Sequence, residues 1–180
     1  SPLIADLAQL GRPLRTVKPD HLHLTLRFLG DTDEPLLPQL KEVLNKTAAT
    51  ESPFDVTFQG LGAFPKPARP TVVWAGVRPA DPCMRLERAL TTLLTPLGFE
   101  PEAREYRPHL TLARVKGRAP AGLAKLLSRH SETEFATMRV AEISLFESTL
   151  TPTGAIYTKL ASAPLGDAEA RANKADEHRH

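Results

Sequence analysis

Two short stretches of the sequence contain the residues best suited to acid–base chemistry. His23-Leu24-Thr25-Leu26 recurs nearly half the chain later as His109-Leu110-Thr111-Leu112. A histidine has an ordinary pKa near 6.5, so it can accept or release a proton around neutral pH. Opening a cyclic phosphodiester needs both steps, because water must lose a proton while the departing sugar oxygen gains one. Two histidines facing a phosphate from opposite sides would suit that reaction.

The other residues of this repeat could hold the phosphate. Each copy alternates polar and apolar residues, which predicts a half-buried strand with the leucines facing a core and the histidine and threonine facing outward. The hydroxyls of Thr25 and Thr111 could then donate to non-bridging oxygens. An arginine is also expected, to neutralise charge that develops on phosphorus. Arg27 has the parity to share the face of His23, whereas Arg114 reaches the site only if its strand twists, ends or bulges near Ala113.

The remaining pattern interleaves helices and strands. Amphipathic spacing predicts helices, and β-branched or alternating segments predict strands. We predict helices over 35–47, 83–97 and 121–130, strands over 54–58, 71–77, 135–149 and 155–161, a Gly/Pro-rich turn region over 60–70 and a turn over 151–154. The order indicates an α+β protein of two similar lobes related by an approximate two-fold axis.

The bulk properties are those of an ordinary soluble protein. The chain has 180 residues, a net charge of +2 and a single cysteine, Cys83, so an intrachain disulfide is excluded. We find no apolar stretch of membrane-spanning length, no signal peptide and no metal-ligand spacing. These features predict a cytoplasmic protein without a membrane association. The small positive charge permits a nucleic-acid substrate without arguing for one.

The repeat and its surroundings resemble a known family. His23-Leu-Thr-Leu-Arg-Phe-Leu-Gly30 and Arg107-Pro-His-Leu-Thr-Leu-Ala-Arg114 are similar to the paired motifs of the two-histidine (2H) phosphoesterase superfamily. Within it, the chain resembles the bacterial and archaeal RNA 2′,3′-cyclic phosphodiesterases, also called 2′-5′ RNA ligases. The resemblance runs from about Leu14 to Leu165 and includes the segments 62–65, 71–76 and 148–160.

The resemblance implies a fold and a set of roles. The fold would be α+β, with two pseudo-symmetric lobes, each an antiparallel sheet with helices outside, and a central cleft carrying both motifs. We expect one domain over 1–165 and a charged, disordered tail over 166–180. His23 would be the proton donor and His109 the proton acceptor. Thr25, Thr111 and Arg114 match positions that hold the phosphate, and Arg27 is kept as a further phosphate-binding candidate.

The expected reaction leaves a 2′-phosphate and a free 3′-hydroxyl, without a metal or nucleotide cofactor. The expected partners are RNA molecules with 2′,3′-cyclic phosphate ends, with tRNA fragments and cyclic nucleotides as candidates. We expect a monomer with no obligate protein partner. The family also begins with a strand followed by a helix. The resemblance implies that residues 1–10 lie in that helix, so we expect the strand before it to have been left out of this sequence.

Several alternatives remain open at this point. The same residues could perform reversible 2′-5′ ligation, act on ADP-ribose cyclic phosphate, or form a module that binds phosphorylated RNA without turnover. Aromatic residues could stack on a base or pack in a core, and loop cations could steer RNA or be solvated; these are Phe28, Phe64, Trp74 and Tyr106, and Lys66, Arg69, Lys116 and Arg118. The remaining histidines, His21, His130, His178 and His180, are expected to lie outside the site, and Cys83 is expected to be structural.

Overall fold

The computed structural model describes residues 2–11, 13–152 and 154–166. Within these residues it is an α+β structure with the α-helices and β-strands in the following order: α1 (Pro2–Gln9), β1 (Leu14–Thr16), α2 (Leu37–Ala48), β2 (Phe54–Phe64), β3 (Val72–Arg78), α3 (Asp81–Leu94), β4 (His109–Val115), α4 (Leu123–Arg129), β5 (Glu134–Val140), β6 (Glu142–Thr151) and β7 (Gly154–Pro164). Antiparallel sheets combined with helices confirm the expected fold class.

The chain divides into two compact units. The first contains the described residues up to Leu26 together with Val56–Ala80 and Arg107–Met138. The second contains Arg27–Asp55, Asp81–Tyr106 and the described residues from Arg139 onward. Each unit therefore takes segments from both halves of the sequence, and both histidine motifs fall in the first unit.

The first unit contains a five-stranded sheet in the order β1–β4–β3–β2–β5. Burial alternates along β3, where Val73, Ala75 and Val77 are buried and the residues between them are partly exposed. This period of two identifies one face of the sheet as core and the other as open. Helix α1 packs against β1, and Leu7 on that helix is fully buried.

The second unit contains the β6–β7 hairpin and two amphipathic helices. Helix α2 packs against α3 and against both strands of the hairpin. The apolar stripes predicted over 35–47 and 83–97 form this core, in which Leu40, Val43 and Leu94 are buried. A short 3₁₀ turn continues α3 to Leu97, and Gly98 ends it in the left-handed conformation with φ 91°.

Two strand predictions were wrong in their extent. The single strand predicted over 135–149 is two strands that meet at Ala141, one in the five-stranded sheet and one in the hairpin. Alternation in sequence is the same in both strands, so it does not reveal a change of sheet. Strand β2 continues through Gly60, in the predicted turn region, because this glycine has φ 75° and forms a bulge between Gln59 and Leu61.

The strand expected around His23 was also wrong as a regular strand. Pro19–His21 form a 3₁₀ turn, and the chain returns to the sheet only through an isolated antiparallel bridge between Leu24 and Leu110. Proline has no N–H to donate to a ladder, so pairing with β4 stops after Val17, whose N–H donates to the carbonyl of Leu112.

Most of the tail predicted over 166–180, including His178 and His180, lies outside the described residues. Gly166, at its start, donates its N–H to the carbonyl of Ala48. None of the helices in the described part of the chain has the length and apolar character needed to cross a membrane.

Candidate active site

The bridge between Leu24 and Leu110 brings the two motifs side by side. Because the pairing is antiparallel, its register sets His23 opposite Thr111 and Thr25 opposite His109. Directly opposed side chains on such strands have Cβ atoms about 5 Å apart, and diagonal neighbours about 7–8 Å. The register therefore brings both histidines and both threonines into one cluster related by an approximate two-fold axis.

This cluster lies on the open face of the five-stranded sheet. Leu24 and Leu110 point to the core side, and Leu110 is 9% exposed. His23 and Thr25 are exposed, and His109 and Thr111 are partly exposed. The alternation of leucine with polar residues predicted this separation of faces, and the structure confirms it.

A main-chain carbonyl orients each imidazole in the same way. The Nδ1 atom of His23 lies 2.7 Å from the carbonyl oxygen of His21, and Nδ1 of His109 lies 2.7 Å from that of Arg107. A carbonyl only accepts hydrogen bonds, so each Nδ1 carries a proton and the lone pair of a neutral ring belongs to Nε2. These two carbonyls were not predicted from the sequence, although each belongs to the residue two positions before its motif histidine.

Aromatic rings support His109 from the neighbouring strands. Phe64 meets its imidazole edge-on, with ring centroids 5.0 Å apart, and Trp74 lies 5.1 Å from Phe64 and 6.3 Å from His109. Gly62 pairs with Trp74 across β2 and β3, and a Cβ atom on this glycine would collide with the indole. Phe64 and Trp74 thus pack on a motif histidine, a role that was not predicted from the sequence.

A bulge in β4 brings Arg114 onto the histidine face. Val73 pairs with Ala113 while its neighbour Trp74 pairs with Thr111, so Leu112 is an extra residue on β4. Leu112 and Ala113 are both buried, and the alternation resumes one residue later with Arg114 exposed. In a regular strand Arg114 would face away from His109, and this extra residue turns Arg114 to the same face.

Arg27 has a different environment from the motif residues. It belongs to the second unit, and its side chain is only 6% exposed. Its guanidinium donates to the carbonyl of Glu100 and lies 3.9 Å from the Glu87 carboxylate and 4.0 Å from that of Glu102. A buried arginine already facing two carboxylates is better suited to a structural role than to phosphate binding.

The other candidate residues divide by exposure. Lys66, Arg69, Lys116 and Arg118 are exposed, as expected for solvated charges. Phe28 is 74% exposed, so its interpretation as a core residue is wrong. Burial raises the pKa of the Tyr106 hydroxyl, and the nearby Cys83 and Glu87 raise it further.

Cys83 is buried in the second unit with 2% of its surface exposed. Burial raises the pKa of its thiol to about 11, so it is held in the unreactive thiol form at neutral pH. Among the residues that the structure describes, no three His, Cys, Asp or Glu side chains are grouped so that they could hold a metal ion.

Comparison with known proteins identifies the family. A model described as the 2′-5′ RNA ligase superfamily matches residues 2–151. The RNA 2′,3′-cyclic phosphodiesterase of Aeropyrum pernix is 40% identical over 157 residues, covering 86% of this chain and 88% of that protein. The protein of the same name from Methanothermobacter thermautotrophicus is 41% identical over 148 residues, covering 82% and 80%.

Solved structures agree with this result. The crystal structure of TT0787 of Thermus thermophilus superposes with a TM-score of 0.79 at 30% identity, covering 93% of this chain and 91% of that one. That of Escherichia coli LigT complexed with 3′-AMP gives 0.69 at 24% identity, covering 91% and 88%, and supports the fold. From its motifs, its sequence relatives and its fold, the chain belongs to the 2′-5′ RNA ligase superfamily, also known as the 2H phosphoesterases.

Proposed function

We propose that the chain is an RNA 2′,3′-cyclic phosphodiesterase that hydrolyses cyclic phosphate ends to 2′-phosphates. The observation that carries the proposal is the pair of imidazoles on one sheet face, each oriented by a carbonyl at 2.7 Å from Nδ1. The relatives named RNA 2′,3′-cyclic phosphodiesterase, up to 41% identical, support the same activity.

The proposed reaction uses Nε2 of both histidines. Nε2 of neutral His109 removes a proton from water, whose oxygen forms a bond to phosphorus. The bond from phosphorus to the 3′-oxygen breaks, and the protonated Nε2 of His23 gives its proton to that oxygen. The products are a 2′-phosphate and a 3′-hydroxyl. The donor and acceptor assignments follow the resemblance to the family, since the two carbonyl contacts are equivalent.

The remaining polar groups of the face would bind the phosphate. Thr25 and Thr111 stand opposite the two histidines in the register, so their hydroxyls can donate to the non-bridging oxygens. Arg114 follows on the same face and can neutralise the charge that accumulates on those oxygens as water attacks. None of these steps requires a metal ion, because the two histidines supply both proton transfers.

The test is a hydrolysis assay on an oligoribonucleotide that ends in a 2′,3′-cyclic phosphate, performed in EDTA. We expect wild-type protein to produce the 2′-phosphate, and His23→Ala and His109→Ala each to lower kcat by about 10²–10⁴-fold. His130→Gln is the matched control, because His130 lies in the same unit but contacts Thr133 rather than the motifs. Wild-type rates in either motif variant would refute the two-histidine mechanism, and loss of wild-type activity in EDTA would refute metal independence.

Reversible ligation is a second candidate, favoured by the description of the matching family model. In this reaction the oxygen of a 5′-hydroxyl, rather than that of water, forms the bond to phosphorus while the bond from phosphorus to the 3′-oxygen breaks. The product is a 2′-5′ linkage with a free 3′-hydroxyl, and the reverse reaction in the same site releases the 5′-hydroxyl again. Adding an acceptor oligonucleotide with a 5′-hydroxyl to the assay separates the two activities. A longer 2′-5′-linked product that requires both His23 and His109 would establish ligation.

A further inference from the structure

A second pair of cationic residues lies beside the proposed catalytic cluster. Arg15 on β1 is the direct partner of Arg114 on β4 in the antiparallel register. Partners in such a register point to the same face, and both side chains are exposed. Because the β4 bulge brings Arg114 onto the face of His109 and Thr111, Arg15 lies on that face as well.

In the described part of the chain, this arginine pair has no acidic partner. Among the described residues, neither guanidinium has a carboxylate within ion-pair distance. Like charges directly opposite each other on neighbouring strands are destabilising. An anion shared by or placed between the two guanidinium groups would relieve this repulsion, and arginine is well matched to phosphate.

The position of Arg15 indicates which phosphate it would meet. Arg15 and His23 lie on the same side of β4, opposite Arg114 and Thr111 respectively. In the proposed reaction the water enters from the His109 side, so the ribose that carries the departing 3′-oxygen lies on the His23 side. The 5′-phosphate of that terminal nucleotide extends from this ribose.

We propose that Arg15 binds the 5′-phosphate of the terminal nucleotide and so makes the enzyme prefer RNA chain ends to cyclic mononucleosides. This inference rests on the proposed function for its substrate. In an RNA chain this group is the last phosphodiester before the cyclic end. A nucleoside 2′,3′-cyclic phosphate lacks it and would gain nothing from Arg15.

Two substrates that differ in one phosphate test the proposal. Adenosine 2′,3′-cyclic phosphate is compared with 5′-phosphoadenosine 2′,3′-cyclic phosphate, using wild type, Arg15→Gln and Arg88→Gln. We expect Arg15→Gln to reduce the preference for the 5′-phosphorylated substrate by about 10–100-fold in kcat/KM, mainly through KM, because a charge-assisted hydrogen bond is lost. Arg88→Gln is the control, since Arg88 is an exposed arginine on α3 in the second unit.

The outcomes separate this inference from the proposed function. An unchanged preference in Arg15→Gln, with both substrates still hydrolysed, would overturn the role of Arg15 alone. Absence of turnover in wild type would overturn the proposed function. In that event, titration calorimetry with adenosine 2′,5′-bisphosphate and adenosine 2′-monophosphate decides the inference. Arg15→Gln must weaken binding of the bisphosphate selectively, and equal binding by the variant and wild type would refute the site.

Thermal unfolding gives an independent check. Removing one charge of an uncompensated pair should leave the melting temperature unchanged or raise it. A lower melting temperature for Arg15→Gln than for Arg88→Gln would instead assign Arg15 a structural role and contradict the proposal.

Discussion

In each motif, the histidine imidazole donates a hydrogen bond to a main-chain carbonyl. The carbonyls of His21 and Arg107 fix the tautomer of His23 and His109, and a side-chain substitution at either position leaves the carbonyl in place. Pro108 adds a further constraint, because a residue before proline is confined to extended conformations. The direction of the Arg107 carbonyl, and with it the His109 ring, is therefore held by the local chain.

The support of His109 by aromatic rings leads to a prediction about Gly62. Its Cβ atom would overlap the six-membered ring of the Trp74 indole. We expect Gly62→Ala to destabilise the protein by about 1–3 kcal/mol, as overpacking does, and to lower kcat by displacing the rings that hold His109. Chemical denaturation and steady-state kinetics would measure both effects.

The control for this prediction is Trp74→Phe combined with Gly62→Ala. Phenylalanine lacks the fused ring system, so the double variant should recover most of the lost stability. It also removes the indole N–H, which is buried and has no hydrogen-bond partner among the described residues. Purely additive losses in the two variants would show that the steric account of Gly62 is wrong.

At the scale of elements, two bulges adjust what the strands can reach. The extra Leu112 in β4 returns Arg114 to the face of His109. The bulge at Gly60 in β2 lets that residue donate its N–H to Thr133 at 2.9 Å, while Leu61 donates to His130 at 2.9 Å. Each bulge therefore allows a side-chain position or a hydrogen bond that a regular strand would not allow.

The second bulge gives a matched pair of glycine substitutions. Gly60 and Gly117 have nearly the same backbone angle, φ 75° and 76°, but a Cβ atom on Gly60 would lie 2.5 Å from the Ser131 carbonyl oxygen while one on Gly117 meets nothing within 4 Å. We expect Gly117→Ala to cost about 1 kcal/mol for the left-handed conformation alone. Gly60→Ala should cost at least about 1–2 kcal/mol more. Equal free energies of unfolding for the two variants would contradict the predicted collision.

The elements also show what the sequence could and could not predict. The helices α2 and α3 and the faces of the His-Leu-Thr-Leu repeats were predictable, because leucine spacing reports directly on burial. The bulge at Leu112 could not be predicted, because an extra residue leaves no signature in the alternation of β4. From the sequence, Arg114 could be placed in the site only on the condition that its strand is irregular near Ala113. The partners of Arg27 were not predictable, because Glu87 and Glu102 are distant in sequence and meet Arg27 only through the fold.

At the scale of the whole molecule, buried ionisable groups link stability to pH. Burial raises the pKa of the Cys83 thiol from 9.0 to about 11 and also raises the pKa of Tyr106. Below pH 9 the thiol is protonated in both the folded and unfolded chain. Between about pH 9 and 11 the unfolded chain loses that proton while the folded chain keeps it, so stability falls as pH rises.

The Cys83 contribution can be isolated by substitution. We expect the free energy of unfolding of wild type to fall by about 2–3 kcal/mol more than that of Cys83→Ala between pH 8.5 and 11. The cavity left by alanine lowers stability by an amount that does not vary with pH, so the comparison uses slopes rather than absolute values. Parallel pH profiles for the two proteins would show that the thiol does not titrate differently on unfolding.

The bridge between Leu24 and Leu110 has a consequence for how this protein acquires activity during synthesis. It closes a loop of nearly half the chain, at an entropic cost of about 4 kcal/mol for so long a loop. Such distant contacts form slowly, and β4 must leave the ribosome before His23 has a partner strand. A growing chain therefore carries its first histidine for much of translation without any catalytic capacity, and we expect RNA-end chemistry to begin only as folding of the sheet is completed.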